Sequence, residues 1–491
     1  MVLAMMLVSS LNQLIMYCNR FKLFFAITLF FVSFLGFSQV VLKGKVIDSA
    51  YVLPVENASV YIKNTTIGTI SNSDGRFVLL VPSEHQNDTL VVSSIGFKSF
   101  KVLVSDYDNS KDIFLEEDIA SLDEIVIVAD PRPTTGNGIV LKALERLSKN
   151  LPDSAYLQKG FLRHKERNSL EFKWLIESAI TVYDSGYGAK STEHLKVNVD
   201  EMRKSYDLRD VDSIFSYVSY RNRNIKRNRL KTQDIRRNDV SKEQLVKSIK
   251  WNDTRVNGLQ NLFQGKLNLL RNVEDTKALF GKDILKTHQF VMDTLLVDDS
   301  RKIYKIKINK SIDFVGLNTK GIYNEGYKAQ GWLYIYYDNY AIKKIEYELV
   351  AASDAQKSRS KRLLGTQTNH KLIINYIEYN DKMYPNYIYY ETPKLVNVGL
   401  KTNKKVSQKE IDRYNREERY YSTVQEILFS EIILDREIVQ FELNSKLWNM
   451  DIFLSKPYNK EFWKNYNVLL ESEEDEQLIN DLSQRASLYK D

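Results

Sequence analysis

The five histidines are the residues of this sequence that could bind a transition metal. A catalytic zinc site of the peptidase type needs a His-x-x-Glu pair and a more distant histidine, which together leave one coordination position open. No histidine here has a glutamate three residues later, and the His-Glu-x-x-His pattern is also absent. We therefore predict no metal or other cofactor. The histidines are expected to be isolated, on the surface or in strands: His85, His164, His194, His288 and His370.

Nucleophilic catalysis finds equally little support in the residue pattern. A serine nucleophile of the strand-to-helix elbow type needs the Gly-x-Ser-x-Gly pattern, which does not occur. The 19 glycines are scattered and form no phosphate-binding loop. Two carboxylates could still meet in space without any recognisable spacing. A hydrolase that uses acidic residues therefore stays an alternative to a non-catalytic binding or scaffolding protein.

The densest charge signal is a basic stretch between Tyr220 and Asn238, which only Asp234 offsets. Like charges repel one another, so such a block favours an exposed loop. The same block is attracted to anionic lipid headgroups or lipopolysaccharide phosphates. A solvated loop or helix face is the alternative. We predict that this stretch contacts an anionic surface through eight cations: Arg221, Arg223, Lys226, Arg227, Arg229, Lys231, Arg236 and Arg237.

The first 38 residues have the form of a secretory signal peptide. An uncharged apolar stretch at 23–37 follows Arg20 and Lys22, and the small residues Gly36 and Ser38 stand before the expected cleavage point. An uncleaved anchor is the alternative, and the chain could start at Met1 or Met16. Cleavage would remove Cys18, the only cysteine, and would leave a net charge of +5. We predict an exported protein of the periplasm or outer membrane with no nucleic-acid partner.

From residue 41 to about residue 114, short runs of β-branched and aromatic residues alternate with turn signals. Ser73, Asp74 and Gly75 form one such signal, because glycine can adopt a positive φ and the aspartate side chain can bond to the backbone. Short strands separated by turns are typical of an antiparallel β-sandwich.

Four spaced motifs in this region resemble the carboxypeptidase-regulatory-like domain. They are Gly44–Asp48, Pro54–Ile62, Gly68–Phe77 and Val91–Phe97. The resemblance covers about residues 41–115 and implies a seven-stranded, transthyretin-like sandwich. It also implies a setting among outer-membrane receptors and other envelope proteins of Gram-negative bacteria, without peptidase activity.

The stretch Leu122–Ala129 resembles the segment that leads from this domain into the plug and barrel of TonB-dependent receptors. About 355 residues follow residue 136, which is too few for a plug and barrel. An accessory protein of such a receptor therefore stays an alternative to a receptor. Pro131 and Pro133 predict a linker at 116–136.

The remaining chain changes character, with a helix predicted near Ile139–Leu147 and antiparallel strands in its second half. Such strands must pack their apolar face on something, and a helix within 258–272 can cover it. The hairpin at 331–350 resembles those of curved, half-open β-barrels of the envelope. The predicted strands are 302–308, 331–338, 341–350, 371–380, 384–391 and 425–435.

We therefore predict a mainly β or α+β protein, with a seven-stranded antiparallel β-sandwich followed by a larger α+β domain that contains a curved antiparallel sheet. The concave face of this sheet is expected to receive an apolar or glycan ligand. Expected partners are anionic lipid, lipopolysaccharide or an outer-membrane protein. The predicted divisions are 1–38 signal peptide, 41–115 sandwich, 116–136 linker, 137–450 α+β domain and 451–491 helical tail.

Overall fold

A computed structural model describes most of the chain after residue 38. The predicted signal peptide and the stretch Leu122–Ala129 lie outside the described residues. No helix in the described part is long and apolar enough to span a bilayer. The described residues are 39–118, 132–167, 172–188, 194–206, 213–231, 234–257, 259–263, 268–271, 279–281, 283–309, 326–354, 356–358, 369–395, 407, 420–454, 456–473, 475–476, 479–480 and 482.

The N-terminal part is a seven-stranded sandwich, as predicted. One sheet has the strand order β4-β1-β7 and the other has the order β3-β2-β5-β6. All neighbouring strands are antiparallel except β1 and β7, which pair in parallel through Val46 and Ile113. The strands are β1 Gln39–Asp48, β2 Ser59–Ile62, β3 Gly68–Ile70, β4 Arg76–Pro82, β5 Thr89–Ser93, β6 Phe100–Leu103 and β7 Ile113–Leu115.

Alternating burial along the strands explains why these segments form a sandwich. In β4, Phe77, Leu79 and Val81 are buried while the residues between them are partly exposed. Successive side chains of a strand point to opposite faces, so one face of each sheet turns towards a shared core. Gly75 adopts a φ of +75° in the turn before β4, which is the conformational freedom predicted for the turn.

The second part is built on one ten-stranded antiparallel sheet. Its strand order is β10-β9-β8-β17-β16-β15-β14-β13-β12-β11, so β17 lies between strands that are far away in sequence. The predicted hairpins at 331–350 and 371–391 are confirmed as β13–β14 and β15–β16. The strands are β8 Tyr156–Arg167, β9 Phe172–Asp184, β10 Leu195–Tyr206, β11 Gln289–Asp298, β12 Arg301–Asn309, β13 Tyr327–Tyr336, β14 Ile342–Ala351, β15 Asn369–Tyr379, β16 Lys382–Leu395 and β17 Tyr420–Ile433.

The large sheet is strongly curved, as predicted. Leu195 on β10 and Ile374 on β15 line the same small cavity, although four strands separate them. In a flat sheet these two strands would lie about 24 Å apart, since neighbouring strands are spaced by about 4.8 Å. One face of the sheet therefore wraps around a common core.

Helices of the same chain fill the concave side. Ile139 and Ala143 of the first helix are fully buried in the core, and Leu262 and Phe263 pack there as well. The predicted helix near Ile139–Leu147 is confirmed, although a break at Arg146 divides it in two. The described helices are α1 Gly136–Glu145, α2 Leu147–Asn150, α3 Ser213–Arg221, α4 Lys242–Asn257, α5 Leu259–Phe263, α6 Ile284–Thr287, α7 Arg436–Ser445 and α8 Lys460–Lys464.

The convex side of the sheet carries the sandwich and the C-terminal segment (residues 456–473 and 475–476). Ile70 of the sandwich, Phe161 of β8 and Trp463 of α8 belong to one apolar cluster. The tail was predicted to be helical over 451–491. Among its described residues, 465–472 are not helical, and Asn467 there hydrogen-bonds to the backbone N–H and C=O of Leu80 on β4 at 2.8 and 3.3 Å.

Candidate functional site

The predicted basic residues lie at the connection that follows α3. The packing of α3 against α4 holds this connection, and the rings of Tyr220 and Trp251 meet edge to face at 5.6 Å. The Asn222 side chain accepts from the N–H of Leu230 at 2.9 Å and donates to its C=O at 2.8 Å, which closes the loop between them. We call residues 221–236 the basic loop.

The cations of the basic loop project into solvent. Arg221, Arg223, Lys226, Arg227, Arg229, Lys231 and Arg236 are all exposed, whereas the Arg237 side chain lies outside what is described. Arg223 also stacks on the Tyr220 ring at 4.0 Å. Within the described part of the chain, none of the seven has a carboxylate within 4.0 Å, and Asp234 instead accepts a bond from the N–H of Lys231 at 3.3 Å. The loop therefore carries concentrated positive charge that its described neighbours leave uncompensated.

The concave face of the sheet does not offer the open ligand surface that we expected. The cavity between the strands and the covering helices measures about 60 Å³. Ligand pockets typically measure about 300–1,000 Å³, so this space suits a few water molecules. The Asp184 carboxylate at its edge is already bound by the Arg271 guanidinium at 2.6 Å and by the Tyr156 hydroxyl at 3.2 Å.

A row of alternating charges crosses the convex face. Arg203, Glu177, Arg163 and Glu426 face one another in register on β10, β9, β8 and β17. Glu177 accepts from Arg203 Nε at 2.6 Å and from the Arg163 guanidinium at 2.9 Å. We call these four residues the charge ladder. Opposite charges directly across a strand pair stabilise that pair, so the ladder supports the four strands at the β10 end of the sheet.

The C-terminal segment binds to the charge ladder. Arg163 donates to the C=O of Leu469 at 2.7 Å and contacts the Glu471 carboxylate at 2.8 Å. Lys165 follows Arg163 by two residues in β8 and so lies on the same face of the sheet. Its ammonium group contacts the carboxylates of Glu426 at 3.0 Å and Asp475 at 2.6 Å. A cavity of about 240 Å³ remains beside these groups, where the sandwich also approaches.

Two glutamates beside this cavity have opposite electrostatic environments. Burial opposes the charge of both. At Glu426 the cations Lys165 and Arg163 outweigh burial and lower the pKa, whereas at Glu471 burial dominates over Arg163 and raises the pKa to about 7. Carboxyls with separated pKa values occur at catalytic sites, but they also occur in structural ion-pair networks. Here both carboxyls contact cations of the same cluster, which favours the structural role.

Four of the five histidines are buried. His164 and His370 lie in β8 and β15 and have at most 3% of their surface exposed. Burial lowers the pKa of His370 to about 3 and that of His288 to about 4. His288 meets the Tyr347 hydroxyl at 2.8 Å. Among the described residues, no group of three potential ligands could hold a metal ion.

The sandwich corresponds to a known domain family. Residues 42–127 match the family model of the CarboxypepD_reg-like domain. The match extends beyond Leu115, the last residue of β7, into the predicted linker. It covers less than a fifth of the chain, so it identifies the N-terminal domain only.

One curated relative shares part of the sequence. The TonB-dependent receptor SusC of Bacteroides thetaiotaomicron is 35% identical over 121 residues, which is 24% of this chain. The chain spans only 11% of the length of that receptor. No solved structure matches the chain.

The charge ladder and its C-terminal partner were missed by sequence reasoning. Arg163 and Glu177 are separated by only 14 residues, but Glu426 and Glu471 come from the far end of the chain. The register of the strands and the packing of the C-terminal segment bring these residues together. A local signal did exist, since charged residues at Arg163, Lys165 and Glu177 interrupt segments that are otherwise rich in apolar residues.

Proposed function

We propose that this chain is a non-catalytic, exported cell-envelope protein that binds or scaffolds other components in the periplasm or at the outer membrane. In this proposal the basic loop contacts anionic lipid or lipopolysaccharide phosphates. The observation that carries the proposal is the group of seven exposed cations that have no carboxylate partner among the described residues. The matching domain and the similarity to SusC support an envelope setting.

The electrostatic attraction between the basic loop and an anionic membrane is large enough to produce measurable binding. Each lysine or arginine near an anionic membrane surface contributes about 1 kcal/mol. Four of the seven cations would therefore contribute about 4 kcal/mol, which corresponds to about a thousandfold in affinity. Exposed Ile225 lies among the cations and could enter the headgroup region.

Liposome flotation tests the proposed contact. Vesicles that contain anionic phospholipid are mixed with the protein at rising salt concentration. In the test variant, Arg221, Arg223, Arg227 and Arg229 are replaced by glutamine. The matched control replaces four exposed lysines outside the basic loop with glutamine, so the net charge of the two variants is equal: Lys98, Lys111, Lys149 and Lys286.

We expect the wild-type protein and the control variant to float with anionic vesicles at low salt and to dissociate as salt is added. The loop variant should lose at least a hundredfold in affinity. Equal affinity of the two variants would remove the membrane contact from the proposal, since net charge alone would then explain binding.

The similarity to SusC favours one second candidate, an accessory protein of an outer-membrane receptor. This candidate predicts that the tagged chain co-purifies with a β-barrel receptor from solubilised outer membranes after cross-linking. The non-catalytic assignment is tested separately with the purified protein. Turnover of peptide or glycan substrates that disappears in Glu471→Gln or Glu426→Gln would overturn it.

A further inference from the structure

A polar cleft lies between the sandwich and one end of the ten-stranded sheet. This space measures about 500 Å³, which is within the range of ligand pockets. Its sandwich wall is the β2–β3 hairpin, and its other wall consists of the ends of β11–β12 and β15–β16. We call it the hairpin cleft.

Three hairpin turns converge on the cleft. Asn64, Asp299 and Asn380 each stand in a turn with a positive φ, at 61°, 45° and 48°. All three line the cleft. Asparagine and aspartate tolerate this left-handed conformation better than other residues with a side chain, so the turns are tight and present polar groups.

Direct bonds fix the two walls relative to each other. Lys101 of β6 contacts the Asp299 carboxylate at 2.7 Å, and the N–H of Gly96 donates to the C=O of Val297 at 2.8 Å. Farther along the sheet, the N–H of Ile432 donates to the Thr66 hydroxyl at 3.3 Å. The cleft is thus held open by bonds at its margin, and a ligand would bind a largely preformed site.

Most charged groups at the cleft have a partner of opposite charge. Arg301 holds Asp338 with two bonds, at 3.0 and 2.8 Å, and also pairs with Glu378. Buried Asp298 accepts a bond from the Tyr336 hydroxyl at 2.6 Å. These carboxylates already have partners, and exposed Lys63 is an isolated cation of the lining, so the cleft offers no cluster of like charges that would select an ionic ligand.

Several neutral polar groups at the cleft remain available. The side-chain amides of Asn64, Asn380 and Asn386 make no hydrogen bond to another described residue. An amide both donates and accepts, which matches hydroxyl groups that do the same. Tyr61 and Tyr379 are half-buried at the cleft, and the apolar faces of aromatic rings suit ligands that combine polar edges with C–H surfaces.

We infer that the hairpin cleft is a binding site for a neutral oligosaccharide, recognised by the amides of Asn64, Asn380 and Asn386 and by the tyrosine rings beside them. This site is separate from the basic loop and involves different chemistry. Binding would engage residues of the sandwich and of the sheet together, so the ligand would also strengthen their association.

Isothermal titration calorimetry of the purified protein with maltohexaose, cellohexaose, xylohexaose and mannohexaose tests this inference. The test variants are Asn64→Gly and Asn380→Gly, because glycine tolerates the positive φ and removes the side chain with its amide. The matched control is Asn228→Gly, which makes the same change in an exposed residue with a φ of 53° in the basic loop.

At least one hexasaccharide should bind with an affinity that added salt does not change. A single hydrogen bond contributes about 1 kcal/mol, so each test variant should bind about fivefold more weakly and the double variant about thirtyfold. Asn228→Gly should bind as the wild-type protein does. The double variant should still float with anionic vesicles, which separates this site from the basic loop.

Three results would overturn the inference. The first is that no hexasaccharide of the set binds. The second is that binding persists unchanged in the double variant. The third is that Asn228→Gly weakens binding as much as the cleft variants do, since the effect would then arise outside the hairpin cleft.

Discussion

Replacing Glu471 with glutamine should change how stability depends on pH. The convex face brings four carboxylates together with three cations, so one negative charge is in excess. Glu471 is the carboxyl at which burial prevails and the pKa rises to about 7, from an ordinary value of 4.5. The folded protein therefore holds a proton on Glu471 at pH values where the unfolded chain has released it.

This difference in proton binding determines the sign and the size of the change in stability with pH. Between pH 4.5 and about 7 the folded state binds more protons than the unfolded state, so stability falls as the pH rises. Each pKa unit corresponds to about 1.36 kcal/mol, so the full loss is about 3 kcal/mol. The glutamine variant has no proton to lose at this position. The free energy of unfolding of the variant minus that of the wild-type protein should therefore rise by about 3 kcal/mol as the pH increases from 4.5 to 8.

Urea unfolding of both proteins over this pH range measures the effect, because titrating groups outside this cluster cancel in the difference. The control is Glu473→Gln, which makes the same change at an exposed residue of the same segment. Parallel stability curves for the wild-type and Glu471→Gln proteins would refute the reasoning, and an equal effect of Glu473→Gln would place its cause outside the buried cluster.

Two further substitutions test the attachment of the C-terminal segment to the sandwich and the close approach of β13 to β14. Asn467→Ala removes both hydrogen bonds to the Leu80 backbone. Exchange of the Leu80 amide hydrogen should therefore accelerate about fivefold. An unchanged exchange rate would contradict the proposed attachment of the C-terminal segment. Gly331→Ala places a Cβ atom 2.0 Å from the Glu346 carbonyl oxygen at a φ of 136°, so urea unfolding should show a loss of about 3 kcal/mol. Gly188→Ala, where a Cβ meets nothing within 4 Å, should have almost no effect.

Local patterns predicted the parts of the fold that local interactions determine. The hairpins β13–β14 and β15–β16 follow from alternating strands joined by short turns, and each turn contains residues with a positive φ, such as Tyr340 and Asn380. The sandwich was predictable for the same reason, and spaced motifs also marked its family. No strand was predicted before residue 302 in the second part of the chain, yet the aromatic-rich segment 156–185 contains β8 and β9.

The convex face could not be predicted in the same way. The order of the strands places β17 beside β8, and the residues of this pair are more than 250 positions apart. A shift of one residue in this pairing would turn Glu426 away from Lys165 and towards the core. The partners of Arg163 therefore depend on a long-range register that residue types alone do not reveal. The exposed basic loop, by contrast, follows from local charge repulsion.

The position of β17 also determines when the protein can fold. Until residue 433 is available, β8 and β16 cannot be joined, and each would present an unpaired edge. Formation of this pair closes a loop of more than 250 residues, which is slow because distant contacts require a large loss of chain entropy. A chain still being synthesised therefore lacks the strand that completes its sheet. Until that strand is available, the open strand edges of β8 and β16 would need protection from aggregation.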